Sequence, residues 1–341
     1  MTPQSTTPPD WSLTGSALLI RLRSIGDTAL MTPCLAAIKD WRADIKISVL
    51  SEPLSAPLLE DHPLVDELIV VNASLASRAR IIRRLRRERF DIAFNLHGGT
   101  TGTVIARLAG ARQQVAFAGH RWTRLLSHRA PSPDAILGRS RIHSVEQQLA
   151  LLHWSGVPWP DNPRLNLFVS PEAEEKARGR LTQTGLRDEP FAIIAPSAAM
   201  ESKRWTAAGF SSIADHLRER WNLRIVVIAG PGQEAIANEV SEKAQGCPPV
   251  IAHLDLKELM AVIKMSRLFV GNDSGPAHIA AAFNRPMVII FGSSNPAVWH
   301  PWTDAPHRVV HAKDAIEMIP SSNVAAAVDE VLSVEQASKK G

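Results

Sequence analysis

The stretch RLFVGNDSGPAHIAAAFNRPMVIIFG at residues 267–292 decides the fold of this chain. The short, continuous apolar runs near both of its ends are typical of buried parallel strands. Between them, turn-forming residues at 271–275 precede Pro276, which presets the backbone for a helix over 276–283. The stretch therefore predicts strand, loop, helix and strand, the repeating unit of a parallel α/β sheet.

The start of this helix is a candidate anion site. The first backbone N–H groups of a helix have no partner within it, and the helix dipole adds partial positive charge there. Asp273 would repel a phosphate placed directly on it, so we expect its carboxylate to accept a hydrogen bond from a sugar hydroxyl or from the helix amides. His278 lies in the first turn. In a simpler alternative, Asp273 and Ser274 only start the helix.

The composition indicates a soluble globular protein with room for two domains, because the chain has 341 residues, of which 45% are hydrophobic and 21% charged. Cys34 and Cys247 lie in unrelated segments, which indicates neither a disulfide framework nor a zinc site. No apolar run approaches the roughly 18 residues of a membrane span. Residues 1–12 are polar and proline-rich, which predicts a disordered lead and not a signal peptide. We therefore expect a cytoplasmic protein.

Positive charge is concentrated at residues 78–89, which hold seven arginines and one glutamate. Ile81, Ile82 and Leu85 share one face, so the segment predicts an amphipathic helix with a strongly basic opposite face. That face is either a solvated surface or a contact for anionic lipid headgroups or a phosphorylated substrate. Nucleic acid is not the expected partner, because neither aromatic interleaving nor zinc-finger spacing accompanies the arginines.

Strand and helix patterns alternate along the whole chain and predict two doubly wound, Rossmann-like α/β domains. Residues 13–156 form the first domain and 166–334 the second, with a proline-rich linker at 157–165 and a polar tail at 335–341. A basic stretch at 119–141 has no clear periodicity and predicts a long loop, which is either functional or mobile.

Two further loops carry candidate catalytic residues. Gly26 and Asp27 follow the first predicted strand, at 17–25, where ligands bind in open α/β sheets. Asp27 is therefore a candidate general base, although it is also a candidate helix cap. Lys203 and Arg204 lie between a strand and a helix, where they are either solvated or placed to offset the charge of a departing diphosphate.

A loop containing Gly230 and Gly232 matches the pattern GxGxxA, and Asp255 follows about 20 residues later, as in a dinucleotide-binding fingerprint. However, Pro231 lacks one of the amides that a pyrophosphate would use. An NAD-type two-domain oxidoreductase is therefore one rival interpretation. A protein that binds nucleotide-sugars or lipid saccharides without catalysis is another.

Taken together, three motifs resemble glycosyltransferase family 9, the ADP-heptose:lipopolysaccharide heptosyltransferases. They are LIRLRSIGDT at 19–28, the PSAA and KRW block at 196–205 and VGNDSGPAHIAA at 270–281, and the resemblance covers residues 18–302. It implies a GT-B fold, in which two doubly wound domains with parallel sheets face each other across a cleft. It also implies an inverting transfer with no cofactor and no essential metal.

The resemblance also implies roles for individual residues. Asp27, next to Gly26, matches the base that deprotonates the acceptor hydroxyl, and Lys203 matches the lysine at the donor phosphates. The other donor-binding positions are Ser197, Glu234, Leu254, Asp273, Ser274, Gly275 and His278. Some family members carry hydroxyl residues where this chain has Ala198 and Ala199.

The implied partners are a nucleotide-sugar donor, expected to be ADP-heptose, and a lipid-linked core saccharide as acceptor. We expect the anionic groups of the acceptor to meet Arg121, Arg124, Arg129 and the basic helix at 78–89. That helix would also allow peripheral attachment to the inner face of the inner membrane.

Overall fold

The computed structural model describes residues 6–186, 189–312 and 315–338. The chain divides into two compact units: unit 1 ends at Phe168 and unit 2 begins at Val169. Each unit contains one parallel sheet of six strands, flanked by helices. The predicted α/β class with two doubly wound domains is confirmed.

Unit 1 has the strand order of a doubly wound domain. Its strands are β1 (Ser16–Ile20), β2 (Lys46–Ser51), β3 (Glu67–Val70), β4 (Ile92–Asn95), β5 (Gln113–Phe117) and β6 (His128–Ala130). Its helices are α1 (Ile25–Trp41), α2 (Leu75–Glu88), α3 (Thr100–Leu108), α4 (Pro133–Leu137) and α5 (Ser144–Trp154). The strands pair in the order β3-β2-β1-β4-β5-β6, so the winding direction reverses between β1 and β4.

Unit 2 repeats this winding. Its strands are β7 (Phe191–Ala195), β8 (Arg224–Ile228), β9 (Val250–Ile251), β10 (Leu268–Asn272), β11 (Met287–Phe291) and β12 (His307–His311). Its helices are α6 (Pro171–Gln183), α7 (Ala207–Trp221), α8 (Glu234–Lys243), α9 (Leu256–Met265), α10 (Gly275–Ala282), α11 (Pro296–Trp299) and α12 (Ser321–Ser338). The order β12-β11-β10-β7-β8-β9 reverses between β7 and β10.

The stretch at 267–292 forms β10, α10 and β11, as its pattern predicts. Every residue of both strands is buried, because each strand pairs on both sides within the parallel sheet and helices cover its faces. Trp205 is the largest fully buried side chain of unit 2, and its indole N–H donates to the carbonyl oxygen of Ile319 at 3.0 Å.

The basic stretch at 119–141, predicted as a long loop, is more ordered than expected. It contains β6 and α4, and β5, which the sequence pattern did not reveal, precedes it. β5 opens with two glutamines, and β6 has only three residues at the edge of the sheet, so neither shows the apolar run of a central strand. Val115 of β5 pairs with His128 of β6 and brings the stretch into the sheet.

Both chain ends are also more ordered than the sequence indicates. Trp11, within the predicted disordered lead, stacks on Phe94 and donates its indole N–H to the carbonyl oxygen of Ser155 at 2.6 Å. In the predicted polar tail, α12 continues to Ser338, and the buried Glu335 accepts a hydrogen bond from Arg267 at 2.9 Å. Residues 1–5 and 339–341 lie outside the described parts of the chain.

Two helical glycines, Gly209 in the first turn of α7 and Gly179 in the middle of α6, give a test of the packing in unit 2. A Cβ on Gly209 of α7 would lie 2.5 Å from the ring of Trp205, whereas a Cβ on Gly179 of α6 would meet no atom within 4 Å. We expect Gly209→Ala to lower the free energy of unfolding by about 1–3 kcal/mol through overpacking. Gly179→Ala should be neutral or stabilise by up to about 1 kcal/mol, because alanine has the higher helix propensity. Urea denaturation of both variants would measure the difference, and equal effects would contradict this packing.

Candidate active site

In each unit, polar side chains gather where the strand order reverses. Open α/β sheets bind ligands at this point, outside the carboxyl ends of the strands. In unit 1 the point lies between β1 and β4, and in unit 2 between β7 and β10. Each unit therefore has one candidate site.

The candidate site of unit 1 is centred on Arg21, which directly follows β1 and is only 7% exposed. Its guanidinium donates to the carboxylate of Asp27 and to the carbonyl oxygen of Leu96, the first residue after β4. Burial lowers the pKa of Arg21, and the nearby Asp27 opposes that effect. A buried cation needs such a partner, so Arg21 and Asp27 stabilise each other while joining the loops after β1 and β4.

Asp27 also takes part in the start of α1. The sequence predicts that Gly26 and Asp27 form a glycine turn before the helix, and this prediction is wrong. The helix begins at Ile25, so both residues lie in its first turn. The Asp27 carboxylate accepts hydrogen bonds from the hydroxyl and the backbone N–H of Ser24, at 3.0 and 3.3 Å. This arrangement belongs to a capping box, in which Asp27 is the third helical residue and Ser24 the cap. The side chain of Asp27 is still 25% exposed, so it remains accessible to an acceptor hydroxyl.

His97 and His120, which sequence analysis did not single out, flank this pair. Burial lowers the pKa of both imidazoles, and the charge of Arg21 lowers each further. The ring of His120 packs against Gly98, where a Cβ would lie 3.1 Å from it. The signal that could have revealed His97 is its place two residues after the end of β4, at the reversal of the strand order. Together, Arg21, Asp27, His97 and His120 form what we call the Asp27 cluster.

The candidate site of unit 2 is centred on Asp273, which follows β10 and is 4% exposed. Its carboxylate accepts a hydrogen bond from the Lys203 ammonium at 2.8 Å and another from the Ser294 hydroxyl, which follows β11. The His278 Nε2 lies 3.9 Å from the other carboxylate oxygen. Sequence analysis missed Ser294, although its position after a buried strand was visible. Asp273, Lys203, Ser294 and His278, with Ser274, form what we call the Asp273 pocket.

The start of α10 does not fit the simpler alternative of an ordinary helix cap. Ser274 occupies the cap position, but its side chain makes no capping hydrogen bond. Its hydroxyl oxygen is buried without a partner in the part of the chain that the structure describes, and the same is true of Ser197 after β7. Gly275 and Pro276 begin the helix. Buried hydroxyls are normally hydrogen-bonded, so these two are available to a ligand at the helix start.

Asn272 holds the two loops of this pocket together. Its buried amide donates to the carbonyl oxygen of Pro196 at 2.7 Å and accepts from the backbone N–H of Trp205 at 3.0 Å. Lys203 and Arg204 lie between these two anchor points. Neither is simply solvated, because Lys203 bonds Asp273 and the guanidinium of Arg204 donates to the carbonyl oxygen of Ala198 at 2.7 Å.

The remaining predicted donor residues lie at the ends of the next strands of unit 2. Glu234 follows β8 and accepts a hydrogen bond from the backbone N–H of Gly232 at 3.1 Å, and backbone hydrogen bonds lower its pKa. His253 lies 3.7 Å from Glu234, and the half-buried Leu254 is next to it after β9. These positions line the same carboxyl edge as the Asp273 pocket. Their roles in binding stay predictions.

The glycine loop that suggested an oxidoreductase lies in the wrong place for a dinucleotide fingerprint. Such a loop belongs after the strand at the reversal of the sheet, which in unit 2 is β7, but the Gly230 loop follows β8. The backbone N–H of Gly232, which such a fingerprint would direct at a pyrophosphate, donates instead to the Glu234 carboxylate. The Asp255 carboxylate caps α9 by accepting from the backbone N–H of Glu258 at 2.8 Å, so it is not free for a ribose.

The arginines predicted to meet the acceptor are placed differently from one another. Arg121 lies shortly before the 3-10 turn Thr123–Leu125 and Arg124 lies within it, and both are exposed, whereas Arg129 is half-buried in β6. On α2, Arg80, Arg83, Arg84, Arg87 and Glu88 line a hollow of about 490 Å³. Of these arginines, Arg84 is paired with Glu67 and Glu88.

The described residues contain no group of three or more histidine, cysteine, aspartate or glutamate side chains arranged to hold a metal ion. No helix within the described ranges is long and apolar enough to span a bilayer.

Comparisons with known proteins agree with the motifs. The family described as glycosyltransferase family 9 (heptosyltransferase) matches residues 78–318. A lipopolysaccharide heptosyltransferase 3 from Escherichia coli is 29% identical over 91% of this chain and 97% of its own length. A lipopolysaccharide heptosyltransferase 2 from Salmonella typhimurium is 25% identical over 80% of this chain and 81% of its own length.

Solved structures show the same fold. A glycosyl transferase of family 9 from Veillonella parvula has a TM-score of 0.84 at 23% identity, covering 93% of this chain and 97% of its own. The ADP-heptose lipopolysaccharide heptosyltransferase II of E. coli has a TM-score of 0.81 at 22% identity, covering 94% of this chain and 99% of its own. These likenesses confirm the predicted GT-B fold class.

Three histidines of unit 1 make the free energy of unfolding depend on pH. Burial lowers the folded-state pKa of His62, His97 and His120, so below about pH 6.5 the unfolded chain binds more protons than the folded one. Their contribution to stability is present above that pH and is lost as the pH falls further. We expect the free energy of unfolding to decrease between about pH 7 and pH 5, as measured by urea denaturation. His120→Gln should flatten this dependence, with the exposed His311→Gln as the control, and an unchanged slope would contradict the assignment.

Proposed function

The chain belongs to glycosyltransferase family 9, and from this we propose that it transfers heptose from ADP-heptose to a lipid-linked core saccharide of lipopolysaccharide. The relatives named above, which are lipopolysaccharide heptosyltransferases, support the donor and the acceptor. The observation that carries the proposal is that a lysine, two unbonded buried hydroxyls and a helix start all follow β7 and β10, the two strands between which the sheet order of unit 2 reverses.

In this proposal, unit 2 holds the donor. The Lys203 ammonium has further N–H donors besides the one directed at Asp273, and these would bond the diphosphate oxygens. The backbone amides at the start of α10 and the hydroxyls of Ser197 and Ser274 would complete the contacts. As the diphosphate leaves, its charge grows, so the fixed positive charge stabilises the transition state more than the bound donor.

Asp273 would orient the sugar and not the phosphates. Its carboxylate is an acceptor only, so it suits a sugar hydroxyl, and its charge is partly balanced by Lys203. Glu234 and Leu254 would contact the nucleoside, with Glu234 on the ribose and Leu254 on the adenine. The residues at 198 and 199 are alanines, so in this chain Ser197 would supply the hydroxyl that some relatives carry there.

Unit 1 supplies the base. We assign Asp27 the removal of the acceptor proton as the hydroxyl oxygen attacks the anomeric carbon from the face opposite the leaving diphosphate, which inverts the configuration. Hydrogen bonds from Arg21 and Ser24 fix the carboxylate in one orientation. The exposed Arg121 and Arg124, together with the half-buried Arg129, would meet anionic groups of the acceptor.

The basic face of α2 extends this proposal to the membrane. Arg80, Arg83 and Arg87 have no ion-pair partner in the described part of the chain, and they surround the hollow on α2. An acceptor with a lipid anchor stays in a bilayer, so we propose that this face binds anionic headgroups on the inner face of the inner membrane.

Asp27→Asn tests the base. Transfer to the acceptor should fall by about 10²–10⁴-fold, because the amide cannot accept the proton. Calorimetric titration with ADP should show nearly unchanged binding, since ADP contacts unit 2. The matched variant Lys203→Met should instead weaken ADP binding by about 10–100-fold through the loss of a charged hydrogen bond. Loss of ADP binding in Asp27→Asn would overturn the assignment of the base.

Neutralising α2 tests the membrane contact. Arg80→Gln, Arg83→Gln and Arg87→Gln together should weaken binding to phosphatidylglycerol vesicles by about 100-fold, since each arginine contributes about 1 kcal/mol near an anionic surface. Co-sedimentation measures the loss. The control is a triple variant of equal charge in unit 2, at Arg178, Arg220 and Arg308. If both triples bind alike, the face of α2 is only a solvated surface.

A further inference from the structure

An exposed tryptophan turn lies near the Asp27 cluster, and the packing of unit 1 does not explain it. The 3-10 turn Thr123–Leu125 follows β5, with Trp122 directly before it. Trp122 is 57% exposed and Leu125 52% exposed. A single exposed leucine needs no explanation, but two large apolar side chains on one short turn form a joint apolar surface.

The turn is held firmly, so these exposures do not come from a loosely attached loop. Thr123 and Leu126 are both buried, so they attach the turn to the interior of unit 1. The Thr123 hydroxyl lies 3.1 Å from the carbonyl oxygens of Ala118 and His120, and the backbone N–H of Leu126 donates to Thr123 at 2.9 Å. The turn therefore presents Trp122 and Leu125 outward in a fixed arrangement.

Trp122 also carries backbone strain. Its φ of 62° lies in the left-handed region, which is unfavourable for a residue with a side chain. A glycine or an asparagine would adopt this conformation more easily. The indole ring is more than half exposed, so it gains little from packing within the protein. This combination points to a contact outside the chain.

The charges around the turn indicate what that contact is. Arg121 and Arg124 are exposed on either side of Trp122, and the guanidinium of neither makes a hydrogen bond or an ion pair within the described ranges. Tryptophan is enriched at the boundary between lipid headgroups and acyl chains, and arginine is attracted to lipid phosphates. Aromatic and aliphatic side chains between arginines are therefore suited to an anionic bilayer.

We propose that residues 121–125 insert into the surface of an anionic lipid bilayer. Trp122 and Leu125 enter the headgroup region, and Arg121 and Arg124 bind lipid phosphates. The helix α3 packs against both this turn and α2, so the insertion adds an apolar contact to the electrostatic one of α2. The proposal rests on the proposed function only in taking the acceptor to be lipid-linked.

The position of the turn gives the insertion a consequence for the reaction. His120, two residues before Trp122, packs against Gly98 and Phe117, and the charge of Arg21 acts on it. The turn is therefore attached directly to the Asp27 cluster. A bilayer contact at Trp122 keeps the saccharide headgroup of a membrane lipid near Asp27, which favours acceptors that are still embedded.

The test compares Trp122→Ser with Leu125→Ser, alone and combined, in co-sedimentation with vesicles of phosphatidylglycerol and phosphatidylethanolamine. The double variant should bind at least about tenfold more weakly, because binding scales with the apolar area inserted. The control is Leu13→Ser. Leu13 is 72% exposed and precedes β1, so it lies at the end of the sheet where the strands begin, whereas the tryptophan turn follows the carboxyl end of β5. At about 0.5 M salt, where the arginines are screened, the wild type should keep residual binding that the double variant lacks.

Three further measurements distinguish the possible outcomes. Trp122→Phe should retain most of the vesicle binding, and circular dichroism confirms that each variant is folded. Transfer to a delipidated core saccharide should be the same for the wild type and the double variant, because that acceptor needs no bilayer. Unchanged vesicle binding by the double variant would overturn the proposal, as would a defect confined to the delipidated acceptor. If the wild type transfers no heptose at all, the proposed function fails while the vesicle result stands by itself.

Discussion

Parallel pairing of β1 with β4 and of β7 with β10 is the constraint on which the candidate site of each unit depends. Because parallel strands end at the same edge, residues far apart in sequence meet there. Arg21 reaches Leu96 across 75 positions, and Lys203 reaches Asp273 across 70. The chemistry therefore lies at the two places where neighbouring strands send their helices to opposite faces of the sheet.

A buried polar side chain holds each of these meeting points together. In unit 1 the guanidinium of Arg21 joins the loops after β1 and β4, and in unit 2 the amide of Asn272 joins the loops after β7 and β10. A buried polar group is costly unless its hydrogen bonds are made, so each loop is restricted to the conformation that makes them. This restriction gives Asp27 and Lys203 fixed positions before any substrate binds.

The two units differ in how their charges are used. The exposed arginines of unit 1, on α2 and at 121–124, mostly lack acidic partners, whereas in unit 2 Arg267 and Arg308 are paired with Glu335 and Glu330. A net charge of +4 over the whole chain hides this asymmetry. Local fields guide anionic molecules, so the unpaired charge of unit 1 supports the proposal that this unit meets the acceptor and its membrane.

The amino-acid sequence by itself determined the α/β class, nearly all central strands and the family, because buried parallel strands and glycine-containing loops leave local patterns. Asp27, Lys203 and Asp273 were also visible as candidates. Only the tertiary structure decided that Arg21, His97 and Ser294 accompany them, that β5 and β6 close one sheet edge, and that Trp122 is exposed. The physical reason is that a sequence pattern reports local periodicity, whereas these features depend on strand order and on burial, which arise only when distant segments pack together.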